Sequence, residues 1–409
     1  MSPRVGPAAA GDGRPGSFRG DPGSSGGDPG PSRGDSGSSC VECLRRCWLI
    51  GRLGPYIQLA CDRRAGRRIP ELLRLDSETL ARLIAPDQAD EMLTWAATLP
   101  EGDLRGQLEA SGCWACCRHD DRFPPGLRDV PDAPPVLVGR GEGVPLAELG
   151  PEGSVTVVGS RRASGYGLEV AGALGRELAA TGMNVVSGLA LGIDGAVHRG
   201  ALDTGRTVAV LGCGADRPYP VSHGGLYRRI VERGLVLSEQ PPGTPARPWR
   251  FPARNRIMAA LSGMTVVVEA AARSGSLITA EMAADAGREV GAVPGPITGR
   301  GATGTNELIA AGAALVRDAQ DVLDRLVGVG APRPDRLGPE PGPGADEVLE
   351  AIERGCTTID QVAASTDRAV DRVAADLTRL ELQGYVRGTA TGTWERTTLT
   401  APYPSATDE

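Results

Sequence analysis

The sequence predicts an α/β protein: a doubly wound parallel sheet, preceded by a small helical domain and followed by a winged-helix outline. Three observations lead there. Short apolar runs alternate with helix-like segments between residues 151 and 318. Leucines recur at helical spacing ahead of that stretch, and three short helical patterns followed by two strand patterns come after it.

Composition narrows the function. The chain has 409 residues, with 44 basic against 51 acidic side chains, a formal charge of −7. Every basic residue is arginine, so any anion site must use planar guanidinium forks or backbone amides. A phosphate loop ending in Gly-Lys-Ser/Thr is excluded outright. The acidic balance argues against indiscriminate nucleic-acid affinity but leaves room for a local basic groove. No run of about 18 apolar residues occurs, and no signal-type apolar segment opens the chain, so a cytoplasmic protein without a membrane span is expected. Nine cysteines, an odd and sparse set, fit reduced thiols.

Residues 1–39 hold 11 Gly, 6 Pro and 8 Ser and are expected to be a disordered tail. The echoed Arg19-Gly-Asp and Arg33-Gly-Asp triplets within it are read as chance. Residues 40–100 form the helical domain, carried by Leu72, Leu73, Leu75, Leu80, Leu83 and Ile84. Inside it, 49–55 (Leu-Ile-Gly-Arg-Leu-Gly-Pro) fits either a helix-hairpin-helix turn offering amides to a phosphate or an ordinary inter-helix turn. The sheet domain is placed at 105–326, a Pro/Gly linker at 327–344, the winged helix at 345–397 and a second disordered tail at 398–409. The predicted strands centre on 155–158, 184–186, 207–211, 235–237, 265–268 and 289–293. Unbroken apolar runs of this kind suit strands covered on both faces.

The chemistry sits at the strand ends. The first strand runs into Gly159-Ser160-Arg161-Arg162-Ala163-Ser164, where a sharp turn would aim amides and arginines at an anion. The next ends in Ser187-Gly188, followed by Asp194 and His198 at i, i+4. These two either form an acid/base pair or, the reading adopted, a buried hydrogen-bonded pair that fixes the loop. Residues 241–257 carry Arg247, Arg250, Arg254 and Arg256 without an acid, interleaved with Trp249 and Phe251. Guanidinium groups beside aromatic platforms are what single-stranded nucleic acid requires. Ser274-Gly275-Ser276 leading to Thr279, and Gly304-Thr305-Asn306, are read as further anion loops, so the ligand should be longer than one nucleotide. The glycine spacings do not fit a dinucleotide fingerprint, and no cofactor is expected. Cys40-x-x-Cys43 with Cys113-x-x-Cys116, and Cys117 and His119 adjacent, makes a four-thiolate zinc site feasible. The first pair borders the tail and the second enters a linker strand, so no metal is assigned.

Seven motifs in order then carry a resemblance: Gly-Ser-Arg-x-x-Ser-x-Tyr-Gly at 159–167, Ser-Gly-x-Ala-x-Gly-Ile-Asp at 187–194, Tyr219-Pro220, Ser238-Glu239, Phe-Pro-x-Arg-Asn-Arg-Ile at 251–257, Ser-Gly-Ser-Leu-Ile-Thr-Ala at 274–280 and Pro294-Gly295. From about 45 to 396 the chain resembles the DprA/Smf family of DNA-processing proteins. The resemblance implies a SAM- or helix-hairpin-helix-like N-terminal domain, an extended Rossmann domain and a winged helix. It implies a cytoplasmic single-stranded DNA-binding protein without catalysis, which protects incoming DNA in natural transformation, loads the RecA recombinase and forms a homodimer through the Rossmann domain. By motif, Arg161 matches the family's DNA-contacting arginine and Phe251 its base-contacting aromatic, with Arg254, Asn255 and Arg256 in its most distinctive stretch. The DNA-binding set implied is therefore Gly159, Ser160, Arg161, Ser164, Ser187, Gly188, Phe251, Arg254, Asn255, Arg256, Ser274, Gly275, Ser276 and Thr279. Two positions depart from the pattern: Leu191 replaces a common lysine, and Val221-Ser222-His223 lacks a nearby basic residue. Arg228, Arg229, Arg247 and Arg250 offer compensating charge.

The alternative is a nucleotide-processing enzyme akin to the lysine-decarboxylase-like phosphoribohydrolases, against which the Thr279-Ala280-Glu281 spacing argues. A duplex-binding regulator is disfavoured because 366–383 mixes Arg368, Arg372 and Arg379 with Asp367, Asp371, Asp376 and Glu381.

Overall fold

The computed structural model describes residues 39–63, 69–329, 342–389 and 392–397. The two Arg-Gly-Asp echoes, most of the expected linker and the expected C-terminal tail lie outside the described residues.

Five helices come first: α1 (Val41–Arg63), α2 (Ile69–Arg74), α3 (Ser77–Ile84), α4 (Ala89–Thr98) and α5 (Glu101–Ala110). Asp76 starts α3 by accepting the Thr79 amide at 2.9 Å, the usual device for an orphan first-turn donor. Leu49, Ile50, Leu53, Ile57, Ile69, Leu73 and Leu80 close a core among α1–α4. The Leu49–Pro55 stretch is neither kind of turn; it is the middle of the continuous helix α1. Its glycines serve close packing instead. A Cβ on Gly51 would lie 3.0 Å from Pro241, and one on Gly54 would lie 2.5 Å from the Arg250 guanidinium.

The central domain then runs β1 (Trp114–Cys117), α6 (Pro125–Arg128), β2 (Val136–Arg140), β3 (Ser154–Val158), α7 (Gly165–Ala180), β4 (Asn184–Ser187), α8 (Ile193–Thr204), β5 (Thr207–Leu211), α9 (Gly224–Arg233), β6 (Leu235–Ser238) and α10 (Arg250–Ala260). It continues through β7 (Met264–Val267), α11 (Gly275–Asp285), β8 (Glu289–Ala292), α12 (Thr303–Ala310), β9 (Ala314–Leu315) and α13 (Ala319–Leu326). Nine strands form one sheet in the order β1-β2-β6-β5-β4-β3-β7-β8-β9. From β6 to β9 all pairs are parallel; β1 and β2 extend the sheet antiparallel at one edge. Of these, β2 and β9 went unread in the apolar pattern, and β1 was read only as a linker strand.

Both faces are covered, as the unbroken apolar runs demand. Val155 and Val157 of β3 face Leu174 and Leu178 of α7 and Val197 of α8, whereas Val158, Val186 and Val210 face Ile257, Met258 and Leu261 on the other side. Beyond the sheet come α14 (Ala345–Glu353), α15 (Ile359–Thr366), α16 (Val370–Leu382), β10 (Val386–Gly388) and β11 (Trp394–Arg396), which together make a winged helix. Thr358 and Gln361 form a reciprocal capping box on α15.

Candidate functional site

β3 and β7 are neighbours at the centre of the sheet, and the chain leaves them in opposite directions, β3 towards β4 and β7 towards β8. Crossovers that diverge this way leave a crevice at the carboxyl ends of the strands, where open α/β sheets bind ligands. A cleft of about 710 Å³ lies there. Of the residues expected to bind, Gly159, Ser160, Arg161, Phe251, Arg254, Asn255, Ser274, Gly275, Ser276 and Thr279 line it.

The loop after β3 is pinned at its base by backbone hydrogen bonds and at Ser164 by the Glu269 carboxylate. Ser160 N–H donates to the Glu269 carbonyl at 2.7 Å, and the Ser160 carbonyl accepts from Ile193 N–H at 3.1 Å. A Cβ on Gly159 would fall 2.6 Å from Ile193, so no side chain fits at the turn. Arg161 and Arg162 are left exposed at the tip. The Arg161 guanidinium lies 5.1 Å from the centre of the Phe251 ring, and Tyr219 tilts 37° against the same ring at 5.4 Å. A cation and two tilted aromatic rings thus lie side by side along the cleft.

The arginine-rich segment is not a loop. From Arg250 onward it is helix α10, with Pro252 in the first turn, where a missing N–H costs no helical bond. This splits its side chains. Phe251 faces the cleft. Trp249 turns away and is buried, its indole N–H donating to the Gly54 carbonyl of α1 at 3.0 Å, so it offers no stacking platform. Arg250 is buried beside it, and its guanidinium donates to the Gly51 carbonyl at 3.4 Å.

Arg254 forms the floor. Its guanidinium lies so close beneath Gly188 that any side chain there would collide with it, and it donates to the Val210 carbonyl. Burial pulls its pKa down to about 10, which leaves it cationic at neutral pH. The Asp194 carboxylate faces it and accepts the Gly188 and Ala190 amides at 3.2 and 3.3 Å. Burial pushes the Asp194 carboxyl up, while the Arg254 guanidinium and these amides oppose that shift. The pair largely cancels its own charge, so the exposed positive field of the cleft comes from Arg161 and Arg162.

His198 does not meet Asp194. Its Nε2 accepts the Leu189 amide at 3.3 Å, which requires a protonated Nδ1, and Nδ1 donates to Thr207 Oγ1 at 2.8 Å. Complete burial holds its pKa down at about 3. Asp194 and His198 therefore brace the 188–190 turn separately, with Leu189 in the left-handed region at φ 58°. His198 is fully buried away from the cleft, whereas Asp194 lines it with one carboxylate oxygen committed to two amides.

Four expected residues lie outside the lining. Ser164 caps α7 and donates to Glu269 at 2.7 Å. Ser187 is buried and donates to the Val157 carbonyl. Gly188 gives room to Arg254. Arg256 points to the far side of α10, where it makes a buried bidentate pair with Glu239 at 2.5 and 2.9 Å. The expected third anion loop, Gly304-Thr305-Asn306, sits inside α12, and the Asn306 amide is spent on both backbone groups of Gly295.

On the opposite wall, Ser274 caps the eleven-residue helix α11 and accepts the Ser276 amide at 3.4 Å, placing Gly275, Ser276 and Thr279 on the cleft at a positive helix end. Tyr219 also lines the cleft and is the aromatic side chain that the residue reading left out of the binding set. Its signal was the Tyr219-Pro220 dipeptide, but no periodicity places the loop after β5 across the cleft. In the winged helix, Arg368 and Arg379 share the single carboxylate of Asp376, which offsets one of their two charges.

Comparison with known proteins gives a consistent picture. Residues 114–327 match the family model for DNA recombination-mediator protein A, and 332–390 match the DprA winged helix domain. The chain is 42% identical to the putative DNA processing protein DprA of Mycobacterium tuberculosis, over 58% of this chain and 63% of that relative. It is 36% identical to protein Smf of Escherichia coli, over 69% of this chain and 79% of the relative. Among solved structures, DNA processing protein A of Streptococcus pneumoniae aligns with a TM-score of 0.55 and 32% identity, covering 70% of this chain and 98% of that one.

Proposed function

The chain belongs to the DprA/Smf family of DNA-processing proteins, and from that premise we propose that its central cleft binds single-stranded DNA without regard to sequence. The observation that carries this reading is the Arg161–Phe251–Tyr219 surface above the diverging strands β3 and β7. Every base has a π-face, so rings of this kind accept any sequence, and an adjacent guanidinium takes a phosphate. The amides and hydroxyls of Gly275, Ser276 and Thr279 supply a second anion position across the cleft.

On this reading the protein shields incoming single strands in the cytoplasm during natural transformation and hands them to the RecA recombinase, working as a homodimer through the Rossmann domain. It performs no catalysis. In support, the two residues that looked most like an acid/base pair are each committed to backbone groups, and His198 is held neutral by burial. Among the described residues no helix is long and apolar enough to cross a membrane.

The test is a titration of the full chain with oligothymidylate and with duplex of equal length at several salt concentrations. Single strands should bind well above duplex. Equal affinities would move the site away from the aromatic surface. Release of free base from nucleoside monophosphates, abolished by Asp194→Asn, would overturn the non-catalytic assignment.

A further inference from the structure

The spacing of the cysteines suggested one quartet; the fold assembles another. On β1 alternate side chains point to opposite faces of the sheet. Cys116 enters the core with Phe123 and Leu137, whereas Cys117 enters the one that holds Cys43 and Leu44 of α1. Cys113 is also on the α1 side, but its thiol reaches only the Ser111 carbonyl, at 3.8 Å. The groups that converge are Cys40, just ahead of α1, Cys43 in its first turn, Cys117 at the end of β1, and His119 two residues beyond.

Their geometry is that of a coordination shell. The Sγ atoms of Cys40 and Cys43 are each 3.4 Å from His119 Nδ1. Cys117 Sγ is 4.0 Å from that nitrogen and 4.0 Å from Cys40 Sγ, and all four ligand atoms lie within 4.8 Å of one another. Tetrahedral zinc, with Zn–S of about 2.3 Å and Zn–N of about 2.0–2.1 Å, has S···S edges of about 3.8 Å and S···N edges of about 3.6 Å. Hydrogen bonding alone does not account for three sulfurs around one Nδ1, which has a single proton or a single lone pair to offer. A Cys40–Cys117 disulfide would need the sulfurs at about 2.0 Å. The Cys40 amide donates to Cys117 Sγ at 3.5 Å, the kind of outer contact that orients a metal-bound thiolate. His119 is exposed, giving the metal an entry path.

We propose that Cys40, Cys43, Cys117 and His119 hold one zinc ion in a closed Cys3His site that fastens the head of α1 to β1. Four protein ligands leave no open position, so the site is structural. Thiolate-rich tetrahedral surroundings select zinc over hard cations.

The full chain, purified reduced and without chelator, should contain one zinc per chain by plasma mass spectrometry. After exchange into cobalt(II) it should show the intense visible bands of a tetrahedral thiolate site. Cys43→Ser and Cys117→Ser should cost at least the roughly 10- to 100-fold in metal affinity that loss of an outer-shell partner costs. Cys113→Ser and Cys116→Ser should retain the metal. His119 is exposed, so its variants test the site even if the cysteine variants misfold: His119→Ala should weaken binding, while His119→Cys should keep the ion and shift the cobalt bands. Three results overturn the proposal: folded, reduced wild-type chain that takes up neither zinc nor cobalt; a Cys40–Cys117 disulfide in the native protein; or undiminished binding in the His119→Ala and Cys43→Ser variants.

Discussion

Two cavities open on either side of α10, and they differ in sign. The cleft at the strand ends is lined by Arg161, Arg162 and Arg254 with a single carboxylate, Asp194. The cavity on the far side, about 520 Å³, is lined by Arg74 and Arg256 with four carboxylates, Glu71, Asp132, Glu281 and Asp285. Arg254 and Arg256, two residues apart on one helix, open onto different cavities because a step of two turns the side chain through about 200°. A chain of net charge −7 thus keeps a polyanion-compatible surface by sorting its charge rather than by carrying an excess. An arginine count along the sequence would have assigned all of α10 to the ligand; the fold assigns most of it to itself.

The sharpest way to break that contrast is at the Arg256–Glu239 pair. Removing one partner leaves a buried charge uncompensated, so Arg256→Ala should cost about 3–5 kcal/mol of stability in chemical denaturation. If instead it leaves stability intact and flattens the salt dependence of DNA binding, the far side of α10 belongs to the interface after all.

On the cleft side, Phe251→Ala should lose about 1–3 kcal/mol of affinity for each base no longer stacked, with little change in salt dependence. Circular dichroism should show an unchanged fold, since Phe251 is only half-buried.

His198 tests the floor beneath it. Its folded pKa of about 3 lies below the unfolded value of 6.5, so the unfolded chain binds the extra proton between those limits. The contribution is fully present above pH 6.5 and is lost as pH falls towards 3, at about 1.4 kcal/mol per pH unit within the window. Stability measured from pH 6.5 down to about 5, above the ordinary carboxylate range, should fall in the wild type and stay flatter in His198→Gln.

The smallest effect belongs to the exposed arginine. Arg161→Ala should reduce the slope of log affinity against log salt by about 0.7, one single-strand phosphate contact, with similar weakening for every sequence. Arg254→Gln should change that slope less, because Asp194 already faces its charge. Equal effects of the two substitutions would dissolve the distinction between rim and floor.

These contrasts also mark what local sequence could convey. The strands of the parallel sheet other than β9 were legible because a strand covered on both faces reads as an unbroken apolar run, as in Val155–Val158. The strand-end loops were legible because Gly159 and Ser274 punctuate strand-to-helix transitions. The helical state of 250–260 was hidden by its arginines, which look solvated until their partners are known. Glu239 lies 17 positions from Arg256, and Gly54 lies 195 from Trp249. Tyr219 was visible only within the Tyr219-Pro220 motif, while the approach of its ring to Phe251 was not. Cysteine spacing misled because a strand sends Cys116 and Cys117 to opposite faces.

Trp249 also decides where the chain can be divided. The span recognised by the family model, 114–327, starts after α1, yet α1 supplies the carbonyls that the Trp249 indole and the Arg250 guanidinium donate to. It also supplies Leu49, Ile50 and Leu53, which cover the indole. Excised at β1, the sheet would present a bare Trp249 and two orphaned donors, on Trp249 and Arg250, immediately ahead of Phe251. The span matched by that family model is therefore smaller than the stretch that packs together, and the helical layer is a fixed wall of the central domain rather than a detachable module.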